Sequence, residues 1–158
     1  MTQEFASAKT AASTIHVVCP HCTVTNRLRQ DQLGAAPNCG RCKSALFNGH
    51  PTEVDQQQFE KHLTRNQIPL LVDFWAPWCG PCRMMAPAYV QAAQLLEPSV
   101  RLLKVDTDAV PDLGQRYNIR SIPTLAIFLD GKELARQAGA MSAADIVRWT
   151  KERLSQVR

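Results

Sequence analysis

The sequence lacks any apolar run long enough to cross a membrane, and residues 1–13 hold one lysine and no apolar core of signal-peptide length. We therefore expect a cytoplasmic protein with no membrane partner. An unpaired cysteine is also lacking, because the six cysteines form three Cys-x-x-Cys pairs, at Cys19/Cys22, Cys39/Cys42 and Cys79/Cys82. In a reducing compartment such pairs indicate metal binding or redox catalysis rather than structural disulfides.

The first two pairs have the spacing of a four-cysteine zinc site. Sixteen residues separate Cys22 from Cys39, and each pair can form a tight turn, or knuckle, that directs two sulfurs toward one ion. Gly40 suits such a turn. Because four sulfurs complete a closed tetrahedral shell, we predict one structural Zn²⁺ bound by Cys19, Cys22, Cys39 and Cys42. The alternatives are disulfides among these cysteines, or His21 as a ligand in place of one of them.

Aromatic residues are scarce, at 6% of the chain. No aromatic stacking surface accompanies the basic residues near the first two pairs, which are Arg27, Arg29, Arg41 and Lys43. The formal net charge of +4 falls to about +2 if four thiolates bind one zinc ion. We therefore expect no nucleic-acid partner.

The length of 158 residues fits one core of about a hundred residues and a small appendage. His50-Pro51 marks the boundary, because a residue before proline favours extended backbone. We predict a zinc-binding unit over residues 1–51, called the N-terminal module below, whose first 14 residues form a loose lead-in. A second domain is predicted over residues 52–158.

Beyond Pro51 the residue pattern predicts the element order α-β-α-β-α-β-β-α. Asp55 and Gln58 form a capping box for the first helix, and Asp130-Gly131 marks a hairpin turn. Strands are predicted at residues 70–75, 100–106, 125–129 and 132–137, with a short edge strand around residues 52–54. The predicted fold class is α/β, with a mixed sheet of about four strands between helices.

The third cysteine pair lies where a buried strand meets a helix. The apolar run from Ile68 to Trp75 predicts a strand buried on both faces, and a helix begins near Cys79. A helix N-terminus presents unpaired N–H groups and a partial positive charge, which both favour a thiolate. Because a bridge from Cys79 to Cys82 closes too small a ring to stabilise the fold strongly, we predict redox chemistry at this pair.

The run Trp78-Cys79-Gly80-Pro81-Cys82 resembles, letter for letter, the active-site motif of the thioredoxin family. The resemblance covers residues 52–158, and with its added cysteines the whole chain is similar to the zinc-bearing second thioredoxins of bacteria. The resemblance implies a thioredoxin fold and a protein-disulfide reductant recycled by thioredoxin reductase and NADPH. It implies a monomer, with disulfide-bearing protein substrates and no tightly bound organic cofactor.

The resemblance also assigns roles to single residues. Cys79 would attack a substrate disulfide, and Cys82, expected to be the more buried, would resolve the mixed disulfide. Asp73, a carboxyl in an apolar strand, would be the base for Cys82, and Lys104 would tune that base. The alternative is that Asp73 and Lys104 form a buried ion pair with no catalytic role.

A contact surface for substrate is implied around the cysteines. Pro123 matches the family's cis-proline, which would turn the backbone of Ile122 toward an incoming peptide. The implied substrate-binding residues are Trp78, Gly80, Pro81, Ile122, Pro123, Gly139 and Ala140.

Two other functions stay open at this point. One is a disulfide oxidase or isomerase, and the other is a zinc-dependent binding or redox-sensing module. Gly80-Pro81 between the cysteines favours a reductant by resemblance. Departures from the family pattern at Pro77, Arg83 and Ser121 leave the choice of partner open.

Overall fold

The computed structural model describes residues 13–157. In chain order, its strands and helices are β1 (Thr14–Val18), β2 (Thr25–Arg29), β3 (Thr52–Glu53), α1 (Gln56–Arg65), β4 (Leu70–Trp75), α2 (Gly80–Leu96), β5 (Arg101–Asp106), α3 (Pro111–Arg116), β6 (Thr124–Leu129), β7 (Lys132–Ala138) and α4 (Ala143–Ser155). The element order predicted from Asp55 onward is confirmed. Of the predicted lead-in, residues 1–12 lie outside the described range, and Thr14 is a correction because it begins β1.

The larger sheet has five strands in the order β3-β5-β4-β6-β7. Both β3 and β4 run parallel to β5, whereas β6 is antiparallel to β4 and β7. The predicted short edge strand is present as β3 and makes the sheet one strand wider than the four expected. Helices α1 and α3 cover one face around Phe59 and Phe128, and α2 and α4 cover the other around Tyr89 and Trp149.

The helix starts follow the capping chemistry of the sequence. The Asp55 carboxylate accepts the N–H of Gln58, and the Gln58 side chain accepts the N–H of Asp55, at 2.8 and 2.9 Å. Ser142 caps α4 by accepting the N–H of Asp145 at 3.1 Å. Within residues 13–157, no helix combines the length and the apolarity needed to span a bilayer.

The N-terminal module contains a hairpin that the sequence analysis missed. Strands β1 and β2 pair antiparallel, from Thr14 opposite Arg29 to Val18 opposite Thr25. The loop between them carries Cys19 and Cys22, so the first cysteine knuckle is also the hairpin turn. One face of β1 is buried against Ile68 of the larger domain.

Main-chain groups of β1 bond to the loop between α1 and β4. The N–H of Val18 donates to Oδ1 of Asn66 at 2.8 Å, and the N–H of Gln67 donates to the carbonyl of His16 at 3.0 Å. The Asn66 side chain is itself held by the buried ring of His62, 2.7 Å away. The hairpin is therefore attached at the amino end of β4.

Arg101, the first residue of β5, joins the N-terminal module to the sheet. It is only 1% exposed. Its Nη2 donates to the carbonyl of Val18 at 3.2 Å, its Nη1 lies 3.5 Å from a carboxylate oxygen of Glu97, and its guanidinium lies 4.6 Å from the ring centre of Phe47. Burial lowers the pKa of Arg101 to about 10, so the guanidinium stays charged at neutral pH. The module and the sheet thus share a buried, charged interface.

Candidate functional site

Cys79 and Cys82 lie at the amino end of α2 and form a disulfide. Cys79 is the N-cap of the helix, and its sulfur accepts the N–H of Cys82 at 3.2 Å. Pro81 occupies the first turn, where a helix does not need its missing N–H. The helix therefore begins at the cysteine itself, and the Cys79 sulfur faces the unpaired N–H groups of the first turn.

Both cysteines are buried in the disulfide form. Cys79 is 3% exposed and Cys82 is 2% exposed, so Cys82 is the more buried of the two, as expected, but only by a small margin. The reason is that the bridge holds both sulfurs together against Ala76, with Trp75 and Ile122 packed around them.

The backbone predicted to meet substrate lies beside the disulfide. The Ile122–Pro123 peptide bond is cis, and the carbonyl oxygen of Ile122 is 3.7 Å from the Cys79 sulfur. The N–H of Gly139 donates to the carbonyl of Pro123 at 2.9 Å, and Gly139 has a φ of 99°, which favours glycine. The remaining predicted substrate-binding residues are Gly80 and Pro81 between the cysteines, Trp78 before them, and Ala140 after Gly139.

An acidic residue that the sequence analysis missed fixes the orientation of Trp78. The indole is 66% exposed, yet its Nε1 donates to Oδ2 of Asp108 at 2.8 Å. In the same segment, Nη1 of Arg83 donates to the carbonyl of Pro77 at 2.9 Å. Asp108 is 30 residues from Trp78 in the chain, so no local pattern indicates the contact. The exposed ring is held in one orientation next to the disulfide.

Asp73 lies inside β4 and is 1% exposed. Its Oδ1 has no hydrogen-bond partner among the described residues. Desolvation raises the pKa of Asp73 to about 7, with Lys104 opposing the shift and Glu53 adding to it. A carboxyl whose pKa lies near neutrality can both accept and return a proton at neutral pH.

Lys104 is opposite Asp73 in the parallel register of β4 and β5. No ion pair joins the two in the described part of the chain, so the alternative of a buried Asp73–Lys104 ion pair is wrong. The Lys104 ammonium instead lies 4.3 Å from the ring centre of Trp75, because the electron-rich face of an indole attracts a cation. From there its charge still lowers the pKa of Asp73.

The other four cysteines converge in the N-terminal module. Their sulfurs all lie within 4.8 Å of one another, and the Cys19–Cys42 and Cys22–Cys39 sulfur pairs are each 3.6 Å apart. All four are free thiols, so the disulfide alternative is wrong, and His21 lies outside the cluster. A tetrahedral Zn²⁺ with Zn–S bonds of about 2.3 Å holds its sulfurs about 3.8 Å apart, so the cluster has the right size for zinc.

Each knuckle is a single helical turn that ends at a left-handed residue. The N–H of Thr23 donates to the carbonyl of Cys19 at 3.1 Å, and the N–H of Lys43 donates to the carbonyl of Cys39 at 3.0 Å. Thr23 and Lys43 have φ values of 63° and 68°, which stop the turn. Gly40 is not in the left-handed region, and a Cβ at this position would meet only Oδ1 of Asn26 at 3.6 Å. The turn therefore accommodates Gly40 but does not require glycine.

N–H groups point at the first sulfur of each knuckle. Burial raises the pKa of the Cys39 thiol, but the N–H groups of Cys42 and Arg41 and the side-chain amide of Asn26 outweigh that effect and lower the pKa to about 6. At Cys19 burial has the larger effect and raises the pKa of the thiol to about 12, and the corresponding N–H groups of Cys22 and His21 oppose that shift only in part. Donors of this kind favour thiolates, which are the form that binds Zn²⁺.

Two family models match the chain. The model for thioredoxin matches residues 50–152, and the model for the N-terminal region of thioredoxin 2, a zinc ribbon, matches residues 18–44. The chain is also 40% identical over 140 residues to thioredoxin C-3 of Corynebacterium nephridii. The aligned residues are 89% of this chain and 96% of that protein. The chain belongs to the thioredoxin family.

Other thioredoxins are similar over part of the chain. Thioredoxin 1 of Synechococcus elongatus is 48% identical over 88 residues, which are 56% of this chain and 82% of its own. A chloroplastic thioredoxin z structure has a TM-score of 0.61 and 28% identity over 67% of this chain and 96% of its own. The Malassezia sympodialis thioredoxin structure has a TM-score of 0.62 and 26% identity, and the match covers 67% of this chain and 92% of its own.

The predicted thioredoxin fold with an added zinc-ribbon module is confirmed. Thioredoxins are protein-disulfide oxidoreductases, and this thioredoxin carries the Cys79–Cys82 pair that such chemistry requires.

Proposed function

We propose that this thioredoxin reduces disulfide bonds of other proteins through Cys79 and Cys82, and that thioredoxin reductase restores the dithiol with electrons from NADPH. The observation that carries the proposal is the position of the Cys79 sulfur. It caps α2, and it lies 3.7 Å from the Ile122 carbonyl beside the cis-proline, where an extended substrate chain can pair with the backbone.

The first step is an attack by Cys79. In the reduced protein, the N–H of Cys82 and the dipole of α2 stabilise the Cys79 thiolate. This thiolate attacks one sulfur of a substrate disulfide. A bond forms between the two sulfurs, the substrate S–S bond breaks, and the other substrate sulfur leaves as a thiolate. The Ile122 backbone and the exposed Trp78 ring hold the substrate during this exchange.

The second step releases the substrate. Asp73 accepts the proton of the Cys82 thiol, and the resulting thiolate attacks the Cys79 sulfur. The mixed disulfide breaks, and the second substrate sulfur leaves. The substrate has gained two electrons, and the protein holds the Cys79–Cys82 disulfide. The support for Asp73 is its pKa near neutrality and its place in β4, directly before the helix that carries Cys82. Lys104 tunes that pKa.

We also propose that Cys19, Cys22, Cys39 and Cys42 bind one structural Zn²⁺ within an N-terminal module that ends at residue 51. The bound ion would cross-link the β1–β2 hairpin to the second knuckle. Because the protein supplies all four ligands, no coordination position is left for a substrate. Four free thiols are compatible with a reducing compartment such as the cytoplasm.

NADPH consumption with thioredoxin reductase and insulin tests the reductase function. We expect turnover by the wild-type protein and none by C79S. C82S is the informative companion, because it keeps the attacking sulfur and should accumulate a mixed disulfide that intact-mass spectrometry detects. If the wild-type protein does not turn over, although dithiothreitol reduces its Cys79–Cys82 bond, then recycling by thioredoxin reductase is wrong.

A further inference from the structure

A second carboxylate shares a row of side chains with Asp73. Glu53 on β3 is opposite Lys104 on β5, and Lys104 is opposite Asp73 on β4. Side chains at matched positions of parallel strands point to the same face of a sheet. Three adjacent strands therefore present an acid, a base and an acid in line. The mechanism proposed above uses Asp73 and Lys104 but gives Glu53 no part.

Glu53 is held in place by two donors. Its Oε2 accepts the indole N–H of Trp75 at 3.2 Å and the backbone N–H of Asp106 at 3.1 Å. The same indole carries the Lys104 ammonium on its face, 4.3 Å from the ring centre. The Glu53 carboxylate is therefore fixed at the edge of the ring that positions the ammonium, and two carboxyl groups share one cation.

The charges around the row act in opposite directions. Partial burial raises the pKa of Glu53. The charge of Lys104 opposes this rise, and the charge of Asp106 adds to it. For Asp73, Lys104 favours the charged form and Glu53 disfavours it. The other titratable group facing Asp73 is Tyr89 on α2, whose fully buried hydroxyl lies 2.9 and 2.8 Å from the carbonyls of Leu71 and Leu103 and stays neutral. On the β6 side, the neighbour of Asp73 is the apolar Leu125.

We propose that Glu53 is a positioning residue for the resolving step. By holding Trp75 and sharing the Lys104 ammonium, it prevents Lys104 from neutralising Asp73 and so controls how firmly Asp73 holds the proton of Cys82. This inference rests on the proposed function, in which Asp73 serves Cys82. It gives an electrostatic task to the two-residue strand β3, which directly follows the N-terminal module.

The substitution E53Q removes the charge and keeps an oxygen that can accept both N–H groups. In the disulfide form, we expect the ¹³C NMR titration midpoint of the Asp73 carboxyl to fall by roughly half a pH unit or more. The pH profile of mixed-disulfide resolution should move in the same direction. The matched control is E60Q on α1, which removes the same charge from an exposed pair with Arg116 and should leave the Asp73 midpoint unchanged.

An Asp73 midpoint in E53Q equal to that of the wild-type protein would overturn the proposal. A second variant tests the other member of the row with Glu53 intact. In K104M, the midpoint of the Asp73 carboxyl should rise, because Lys104 favours its charged form, and an unchanged Asp73 midpoint would also overturn the proposal. Neither titration depends on turnover. If both couplings are found but D73N resolves mixed disulfides normally, then the role of Asp73 is wrong and the charge coupling is not.

Discussion

The Cys-x-x-Cys segments of the N-terminal module and of α2 share the geometry of their first turn. In all three, the N–H of the residue after the second cysteine donates to the carbonyl of the first, from Thr23, Lys43 and Arg83 at 3.1, 3.0 and 3.1 Å. In all three, the N–H of the second cysteine faces the first sulfur. The three segments differ at the residue after the second cysteine. Thr23 and Lys43 have left-handed backbone and the chain reverses there, whereas Arg83 is part of α2 and the helix continues.

This difference determines what stabilises the thiolates. Behind Cys79 stand the 17 residues of α2, whose aligned peptide dipoles place a partial positive charge at the sulfur. A knuckle of one turn has no such helix behind it. Its N–H donors lower the pKa of Cys39 to about 6, but burial raises the pKa of Cys19 to about 12, so a set of four thiolates needs a cation for charge compensation. The same spacing is therefore compatible with redox chemistry in one region and with the proposed zinc binding in the other. The two regions differ in the backbone after the motif, which reverses in the module and continues as a helix in α2.

The largest effect should follow the loss of a zinc ligand. We expect C19S to lose its zinc and to unfold the β1–β2 hairpin, because structural zinc contributes on the order of 10 kcal/mol to folding and the module has little core of its own. Zinc content by atomic absorption and amide exchange of β1 measure the two losses. C79S is the control and should keep its zinc. Full zinc content with native β1 protection in C19S would contradict the comparison.

Removing a buried charge should destabilise the protein where the charge has partners and stabilise it where the charge has none. Arg101 has partners, so R101M should destabilise the protein by about 3–5 kcal/mol by leaving Glu97 and the Val18 carbonyl without their cation. Urea unfolding measures the change. R116M removes the exposed partner of Glu60 and should cost about 1 kcal/mol or less. Equal losses in the two variants would show that Arg101 does not anchor the module.

Asp73 is a buried carboxyl that forms no ion pair among the described residues, and D73N should be stabilising at alkaline pH. The pKa of Asp73 is raised from 3.8 to about 7, so the folded state holds the proton more tightly than the unfolded state. Wild-type stability should therefore fall as the pH rises through this interval, and D73N should not follow it. We expect D73N to be more stable by roughly 2–4 kcal/mol near pH 8 and about equal near pH 4. Urea unfolding at both pH values checks this, and a gap of the same size at both would refute it.

The smallest effects concern the residue that ends or continues the turn. K43G should stabilise the protein by about 1 kcal/mol, because glycine adopts a positive φ without steric cost. The loss of the exposed hydrogen bond from Lys43 Nζ to the Gly40 carbonyl reduces this gain. R83G, at the same position after Cys82, should destabilise by about 1 kcal/mol, because glycine is a poor helix residue. Thermal unfolding in excess zinc measures both, and shifts of the same sign would contradict the comparison.

Local patterns were enough to predict the elements of residues 52–158. The Asp55–Gln58 capping box, the apolar run of β4 and the Asp130-Gly131 turn each depend on a few neighbouring residues. Both turn residues have positive φ, 53° and 80°, as the hairpin signal requires. The four-cysteine cluster was predictable for the same reason, because its ligands come in two local pairs.

Contacts between distant residues were not predictable. The bonds of Asn66, Gln67 and Arg101 to β1, and of Asp108 to Trp78, join positions at least 30 residues apart. They depend on strand register and on the docking of the module, which no short pattern encodes. The position of Lys104 over Trp75 was not predicted for a related reason. The alternative of an Asp73–Lys104 ion pair left out the aromatic ring, which competes with the carboxyl for the ammonium.

The N-terminal module contacts the amino ends of β4 and β5, whereas Cys79 follows the carboxyl end of β4. A strand of six residues spans about 20 Å, which is far beyond the reach of a sulfur. Zinc-bound thiolates and a reactive disulfide within one chain would otherwise be able to exchange, ejecting the metal and scrambling the bridges. The sheet separates the two sets of cysteines, so under the proposed function the four free cysteines would stay reduced while Cys79 and Cys82 pass repeatedly through the disulfide form.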